Sequence, residues 1–457
     1  HLAQGIKHVH VVRALSLDQH AMTPLLALLL LPQLVRSRLD AAQTPPLGWR
    51  SWNWFLNHID QDVIMRQVTA LASGPLLKAG YSRIGIDGGW VCQNSISSKE
   101  PCVCGGIHGS YHDSNGQPVV GLQRFPNLTD LTVFAHGVDV KLDFYGNSCN
   151  CADKELAVWK ARGGNPEYDV ATLASYGMDG IKVDGCGPAH NITRWIEALD
   201  KLPGTPKLLE NCGNNHQSWS PPDVAKVSPS AGPCGFQMYR ISADIAPQFY
   251  SAMFNLQHMI PYLNVSRPGC WPYPDMLQVG SPKLTDAEAR THFAAWCITS
   301  APLLLGHDLA DAGASVRALP IVTNTRAISI NQAWIRHSGR MVRQSEETFK
   351  AQTEHGAEGG GGSRISFPLW QVWVKPTSAG DLTVAVLLIN LSPLTRDITL
   401  TANDLVLGDA AGLANASLSI LDVWTGSVVS SSLPYTAVAV LGHSSEFLTI
   451  QRLDLFV

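Results

Sequence analysis

The sequence predicts an α/β chain in which a (β/α)8 barrel is followed by an antiparallel β-sandwich. Three observations predict it. Short apolar runs alternate with stretches of helical periodicity from residue 45 to residue 333, the pattern of a parallel sheet with crossover helices. Polar residues recur where those runs end, at Asp87, Tyr145, Asp184 and Glu210, and a barrel gathers its site at the C-terminal ends of its strands. Beyond a glycine-rich tract the period changes to that of alternating strands with turn signals. A doubly wound sheet would carry a glycine-rich phosphate loop after its first strand, and no GxGxxG stands there.

In chain order, residues 1–42 are set aside as a leader. From Met22 the chain reads MTPLLALLLLPQLV, an apolar run of secretory-signal length, and the small residues Ala41 and Ala42 stand near a cleavage point. The run is too short to span a bilayer. A buried N-terminal helix is the alternative, and Pro24 and Pro32 fit it poorly.

The barrel is predicted over 43–334. Its strand-like runs include Tyr81–Asp87, Val138–Tyr145, Gly180–Asp184, Pro206–Glu210 and Ala301–Leu305. Helical periodicity fills Val63–Ala79, Glu167–Tyr176 and Ala287–Ile298. The tract Gly356–Arg364, GAEGGGGSR, reads as a flexible loop. The sandwich is predicted over 335–457, with strands in PLWQVWVKP, LTVAVLLIN, DITLT, SILDVW and EFLTI.

Composition narrows the function classes. The 457 residues carry a net charge of −4, so no basic field exists to recruit nucleic acid. Thirteen tryptophans supply apolar faces on which sugar rings stack, although indoles serve equally as core. Sequons at Asn127, Asn191, Asn264, Asn390 and Asn415 agree with export, the one at Asn390 being weakened by Pro393. In an exported chain the ten cysteines read as disulfides. The competing zinc reading, on Cys102-x-Cys104 and Cys149-x-Cys151, has poor ligand spacing. His8-Val-His10 has metallohydrolase spacing but lies in the leader.

Two aspartates stand in suggestive settings. Asp184 ends the run Ile181-Lys-Val-Asp184, and Lys182, two residues earlier, leaves the strand on the same face. A cation there keeps the carboxylate ionised, as a nucleophile must be. Asp244 follows Arg240 by four residues, and an acid role would need a raised pKa. Cleavage of a glycosidic bond uses such a pair of carboxyl groups.

Taken together, the segments resemble glycoside hydrolase family 27, the melibiase-type α-galactosidases and α-N-acetylgalactosaminidases. The pieces stand in family order: Thr44-Pro-Pro-Leu-Gly-Trp49-Arg-Ser-Trp52-Asn53, Gly85-Ile-Asp87-Gly-Gly-Trp90, Arg124-Phe-Pro126 and Lys141-Leu-Asp-Phe-Tyr145. After them come Gly180-Ile-Lys-Val-Asp184-Gly-Cys186, Tyr239-Arg240 through Asp244, Pro274-Asp275-Met276-Leu277, Ala301-Pro302-Leu303 and Ile330-Asn331-Gln332.

The resemblance implies a retaining enzyme with no metal or organic cofactor, acting on an oligosaccharide or glycoconjugate and secreted or vacuolar/lysosomal. By it, Asp184 is the nucleophile and Asp244 the acid/base. Lys182 and Asp87 bond sugar hydroxyls, Arg240 and Asp275 complete a polar wall, and Trp52, Trp90 and Tyr145 shape the pocket. It also implies disulfides Cys149–Cys186 and Cys212–Cys234, leaving the pairing of Cys92, Cys102, Cys104 and Cys151 open.

Two positions depart from the family pattern. Gly88 stands where many members carry a second carboxylate, and Gly213 follows Cys212 where an acidic or polar side chain is common. Glu210 or Asn214 could substitute. The expected activity is release of terminal α-galactose. Its rivals are α-N-acetylgalactosaminidase, β-L-arabinopyranosidase and a non-catalytic sugar-binding protein on the same scaffold.

Overall fold

The computed structural model describes residues 42–98, 100–146, 151, 166–185, 191–204, 207–212, 235–357, 359–381, 383–414 and 416–453. The leader through residue 41 and its predicted signal lie outside them. Eight parallel strands form one sheet: β1 (Leu47–Arg50), β2 (Arg83–Gly85), β3 (Lys141–Gly146), β4 (Gly180–Asp184), β5 (Leu208–Cys212), β6 (Met238–Arg240), β7 (Trp271–Tyr273) and β8 (Leu303–Leu305). β1 pairs with both β2 and β8. The sheet closes beside β7, where Leu277 bridges Leu305 in parallel and its N–H donates to the Leu304 carbonyl at 2.7 Å. The barrel is thus the predicted one.

Helices between the strands start at side-chain caps. Asp60, Asn127 and Asn191 each accept a backbone N–H of the first turn, and Thr285 with Glu288 forms a reciprocal capping box. The predicted helical stretch Val63–Ala79 is divided into Gln61–Ser73 and Pro75–Lys78. Gly74 is extended and Pro75 has no N–H to continue the ladder.

The barrel interior is ionic. Strand alternation puts Arg83, Asp143, Arg50, Glu210, Lys182 and Asp184 inside, where branched apolar residues would be ordinary. Arg83 donates Nε to Asp143 at 2.8 Å. Higher up, Arg50 of β1 pairs with Glu210 of β5, and Tyr273 of β7 donates its hydroxyl to the same carboxylate. β1 and β5 lie opposite each other on the ring, so this pair crosses the interior. Glycine makes the room: a Cβ on Gly85 would stand 3.1 Å from the Arg50 guanidinium carbon, and one on Gly180 would stand 2.9 Å from Arg83 Nη2.

The C-terminal part is built from antiparallel sheets, as predicted. β9 (Arg340–Gln344), β12 (Trp370–Pro376), β13 (Thr383–Asn390), β15 (Leu418–Asp422), β16 (Val428–Ser430) and β18 (Ser445–Arg452) form a six-stranded sheet. β10 (Thr348–Gln352) and β11 (Arg364–Pro368) form a hairpin, and β14 (Arg396–Leu400) pairs with β17 (Tyr435–Val440).

The inner strands β12 and β13 of the six-stranded sheet are buried on both faces. Val372, Val374, Val384, Val386 and Leu388 pack with Ile398, Leu400 and Ala437 of the small sheet, while Trp373, Ala385, Leu387 and Ile389 join the barrel's core. Lys375 lies on that second face. Its buried Nζ donates to Ser300 Oγ at 2.6 Å and to the carbonyls of Cys297, Ile330 and Asn331, capping two helix ends of the barrel. Burial pulls its pKa down to about 7.

Asn390 is buried, and its Nδ2 donates to the carbonyls of Leu394, Val440 and Leu441. That nitrogen is committed to the fold. Among the described residues no helix is long and apolar enough to cross a membrane.

Candidate active site

The C-terminal ends of the strands bring most of the predicted side chains together. Asp184, the last residue of β4, is 7% exposed. Its Oδ1 accepts the Gly185 N–H at 2.8 Å and its Oδ2 accepts the Tyr145 hydroxyl from β3. Burial, and then the Asp184 charge, raise the Tyr145 pKa well above the ordinary value, so the phenol stays a neutral donor. Lys182 lies one pleat below on the same face, with its Nζ 2.9 Å from Asp87 Oδ2 and 5.2 Å from the Tyr145 ring centroid. Burial works against its charge, yet Asp87 and then Cys212 and Asp184 hold its pKa above the usual range.

Asp87 follows β2. Its N–H donates to Ser51 Oγ at 3.0 Å, and its Oδ1 accepts the Gly88 N–H at 2.9 Å. At Gly88, backbone thus stands where a second carboxylate was the family expectation. Trp90 is 1% exposed, with its Nε1 on the Tyr145 carbonyl at 3.0 Å and its edges against Phe144 and Tyr111. It supports the end of β3 from behind. Trp52 opens the short helix after β1 and is half-buried.

Asp244 lies in the segment after β6. Arg240, the last residue of β6, pairs with Asp244 and lies 3.8 Å from Asp275. Burial alone would raise the Asp244 pKa; Arg240, and then Lys182 and His355, hold it below the usual range. Its side chain is 46% exposed. Asp275 is buried, and burial pushes its carboxyl up despite Arg240. Its φ of 82° is a left-handed conformation that a non-glycine residue adopts only when its surroundings enforce it. They do: Asp275 Oδ2 accepts the Ile245 N–H at 2.7 Å and the Asp275 carbonyl accepts Trp296 Nε1 at 2.8 Å. Asp275 therefore ties the loop after β7 to the residue beside Asp244.

Glu210 is not a rim group. It is fully buried between Arg50 and Tyr273, paired in register with Lys182, and so lies level with Lys182 and one pleat beneath Asp184. Gly213 and Asn214 lie outside the described residues. Arg50 and Tyr273 were not expected here; the only signal for them was their place at strand ends.

The cysteines need one correction. Cys212 was expected to bridge Cys234, but it is a buried thiol. Alternation puts it on the same face of β5 as Glu210, toward Lys182, Asp184 and Arg240, and burial raises its pKa. Cys270 is disulfide-bonded. Cys149, Cys186 and Cys234 lie outside the described residues. The pairs left open are Cys92–Cys102, which closes the loop after β2 on itself, and Cys104–Cys151, which fastens that loop to the segment after β3. The sulfurs of Cys102, Cys104 and Cys151, clustered as if for zinc, are thereby occupied.

Comparison with known proteins gives this geometry a family. The model described as Alpha galactosidase A matches residues 44–333, and that of the Alpha galactosidase C-terminal beta sandwich domain matches residues 368–450. The chain belongs to the α-galactosidase family, glycoside hydrolase family 27.

It is accordingly a glycoside hydrolase. An α-galactosidase of Cyamopsis tetragonoloba is 27% identical over 399 residues, covering 86% of this chain and 83% of that one. Alpha-galactosidase 2 of Arabidopsis thaliana is 26% identical over 416 residues, covering 90% of each. Among solved structures, α-galactosidase I of Mortierella vinacea superposes with a TM-score of 0.68 at 18% identity, covering 90% of this chain and 97% of that one. A family 27 β-L-arabinopyranosidase of Geobacillus stearothermophilus superposes with a TM-score of 0.69 at 16% identity, covering 91% and 99%. These superpositions report the shared fold. Within this α-galactosidase-family barrel, the ion pair of Arg50 and Glu210 lies directly under the strand ends that carry Asp184 and Arg240.

Proposed function

We propose that the chain is a retaining exo-glycosidase that releases terminal α-linked galactose from an oligosaccharide or glycoconjugate. The reading rests on one observation: Asp184 and Arg240 stand in one register row through Cys212, and Arg240 pairs with Asp244, so the two carboxyls belong to the same rim but live in different surroundings. Asp184 is buried and fixed by Tyr145 and Gly185, the orientation an attacking carboxylate needs. Asp244 is half-exposed, so a group that it protonates has access to solvent.

In the first step an Asp184 oxygen attacks the anomeric carbon. The glycosidic bond breaks, and the Asp244 proton goes to the leaving oxygen. In the second step water attacks the same carbon, Asp244 takes its proton, and Asp184 is released.

In the sugar-free protein Arg240 holds Asp244 ionised, so binding must supply the acid form. A seated sugar excludes water from the half-exposed carboxyl, which raises its pKa. Arg240 can turn toward Asp275, 3.8 Å away. Formation of the glycosyl ester removes the Asp184 charge, which lowers the Asp244 pKa again and suits it to act as base.

Lys182 and Asp87 would bond sugar hydroxyls, and a sugar lacking those hydroxyls would leave both buried and short of partners. Two disulfides at the rim favour an oxidising compartment, secreted or vacuolar.

A panel of nitrophenyl glycosides tests the reading. The α-galactoside should turn over fastest, and Asp184→Ala should lose at least about a thousandfold in kcat while still folding. Equal or better turnover of the N-acetylgalactosaminide or arabinopyranoside would overturn the choice of sugar. Activity surviving in Asp184→Ala would overturn the assignment of the nucleophile.

A further inference from the structure

The C-terminal domain reaches the segment that carries Asp244. The connection between β10 and β11 contains the glycine-rich tract that read as a plain flexible loop. Its neck is closed by Thr353, whose Oγ1 donates to the Ser363 carbonyl at 2.8 Å. Its near side lies along Asp244–Gln248 of the barrel. The Gly356 N–H donates to the Asp244 carbonyl at 2.8 Å, and His355 forms an antiparallel bridge with Ile245. Gln248 completes the seam, donating Nε2 to the Gln352 carbonyl at 2.9 Å and accepting the Glu354 N–H at 3.1 Å. The His355 ring rests on Phe254, with centroids 4.9 Å apart.

We propose that this hairpin is part of the active site: His355, from the C-terminal domain, positions Asp244, and the hairpin tip forms the leaving-group side of the pocket for substrates whose aglycone is itself a sugar. The inference rests on Asp244 being the acid/base. A proton donor must touch the departing oxygen, so whatever borders the donor borders the leaving group. Two further observations agree. The seam holds the Asp244 backbone on both sides, through Gly356 at its carbonyl and Asp275 at the next N–H. At Gly356, the residue bonded to the Asp244 carbonyl, a Cβ would meet nothing within 4 Å, so the hairpin backbone leaves space there.

Among the described residues, the charged groups around Asp244 are Arg240, Lys182 and Asp275 from the barrel and His355 from the hairpin. Facing His355 among the described residues are Asp244 and, across Phe254, His258, with Glu354 preceding it in the chain. A protonated His355 favours the carboxylate form of Asp244, so its removal lets Asp244 keep its proton to higher pH.

The test compares an aryl α-galactoside, whose leaving group needs little protonation, with raffinose, whose leaving group needs it. In His355→Ala the raffinose-to-aryl ratio of kcat/KM should fall about tenfold or more, and the alkaline limb of the raffinose pH profile should move up. His355→Gln, of similar bulk and without charge, is measured alongside, with melting temperatures to confirm folding. A ratio within twofold of the parent in a folded variant, or an alkaline limb that stays in place, overturns the inference. No turnover of either substrate by the parent would sink the functional reading itself and this inference with it.

Discussion

Tyr145 donates its hydroxyl to Asp184 on the neighbouring strand, and the Tyr145 carbonyl in turn accepts the Trp90 indole N–H at 3.0 Å. One residue thus fixes the carboxylate and is itself fixed from behind. A preorganised donor of this kind does not reorganise when the carboxylate attacks, which is where its value lies. Tyr145→Phe should lower kcat about 10- to 100-fold with KM changed far less, measured on an aryl α-galactoside. An unchanged kcat would reduce the bond to packing.

Arg50 and Glu210 meet across the barrel in full burial. Removing one partner leaves the other charge in the interior, at a cost of about 3–5 kcal/mol. Glu210→Gln and Arg50→Met should each lose about that much in urea unfolding. The double variant should lose less than their sum, because the stranded charge is gone.

Gly180 starts β4 with no space for a side chain: an added Cβ would meet Arg83 Nη2 and the Leu208 carbonyl, both at 2.9 Å. Gly180→Ala should therefore cost about 1–3 kcal/mol of stability. It should also disturb the Arg83–Asp143 pair, readable as a partly non-additive effect with Asp143→Asn.

Much of this site was legible in the sequence, for a physical reason. Asp87, Tyr145, Lys182 and Asp184 lie at strand ends, and alternation alone sends Lys182 and Asp184 to one face. The barrel floor was not legible, because Arg50 and Glu210 are 160 residues apart and only closure of the sheet brings them together. Cys212 misled because a cysteine near other cysteines reads as half of a bridge, whereas the pleat points it inward beside Glu210. The glycine-rich tract misled because its flexible composition says nothing of the Asp244–Gln248 edge it pairs with.

His292 is buried, its Nε2 accepts the Gln278 N–H at 3.0 Å, and burial lowers its pKa to about 3. Burial lowers His307 to about 4. Both stay neutral in the folded protein where the unfolded chain, with a pKa near 6.5, takes up protons. The unfolded state is therefore favoured as pH falls from about 6.5 toward 4, by about 1.4 kcal/mol per pH unit for each group. His292→Gln, which keeps an acceptor for the Gln278 N–H, should remove one such contribution from the slope of unfolding free energy against pH. An unaltered slope would show that another group sets the acid sensitivity.

The central claim is that Asp184 bonds to the sugar before water does. Proton NMR of the first galactose released from p-nitrophenyl α-galactoside, read before mutarotation, tests it directly. Two displacements predict the α-anomer as the first product. The β-anomer appearing first would mean a single displacement by water and would contradict the account.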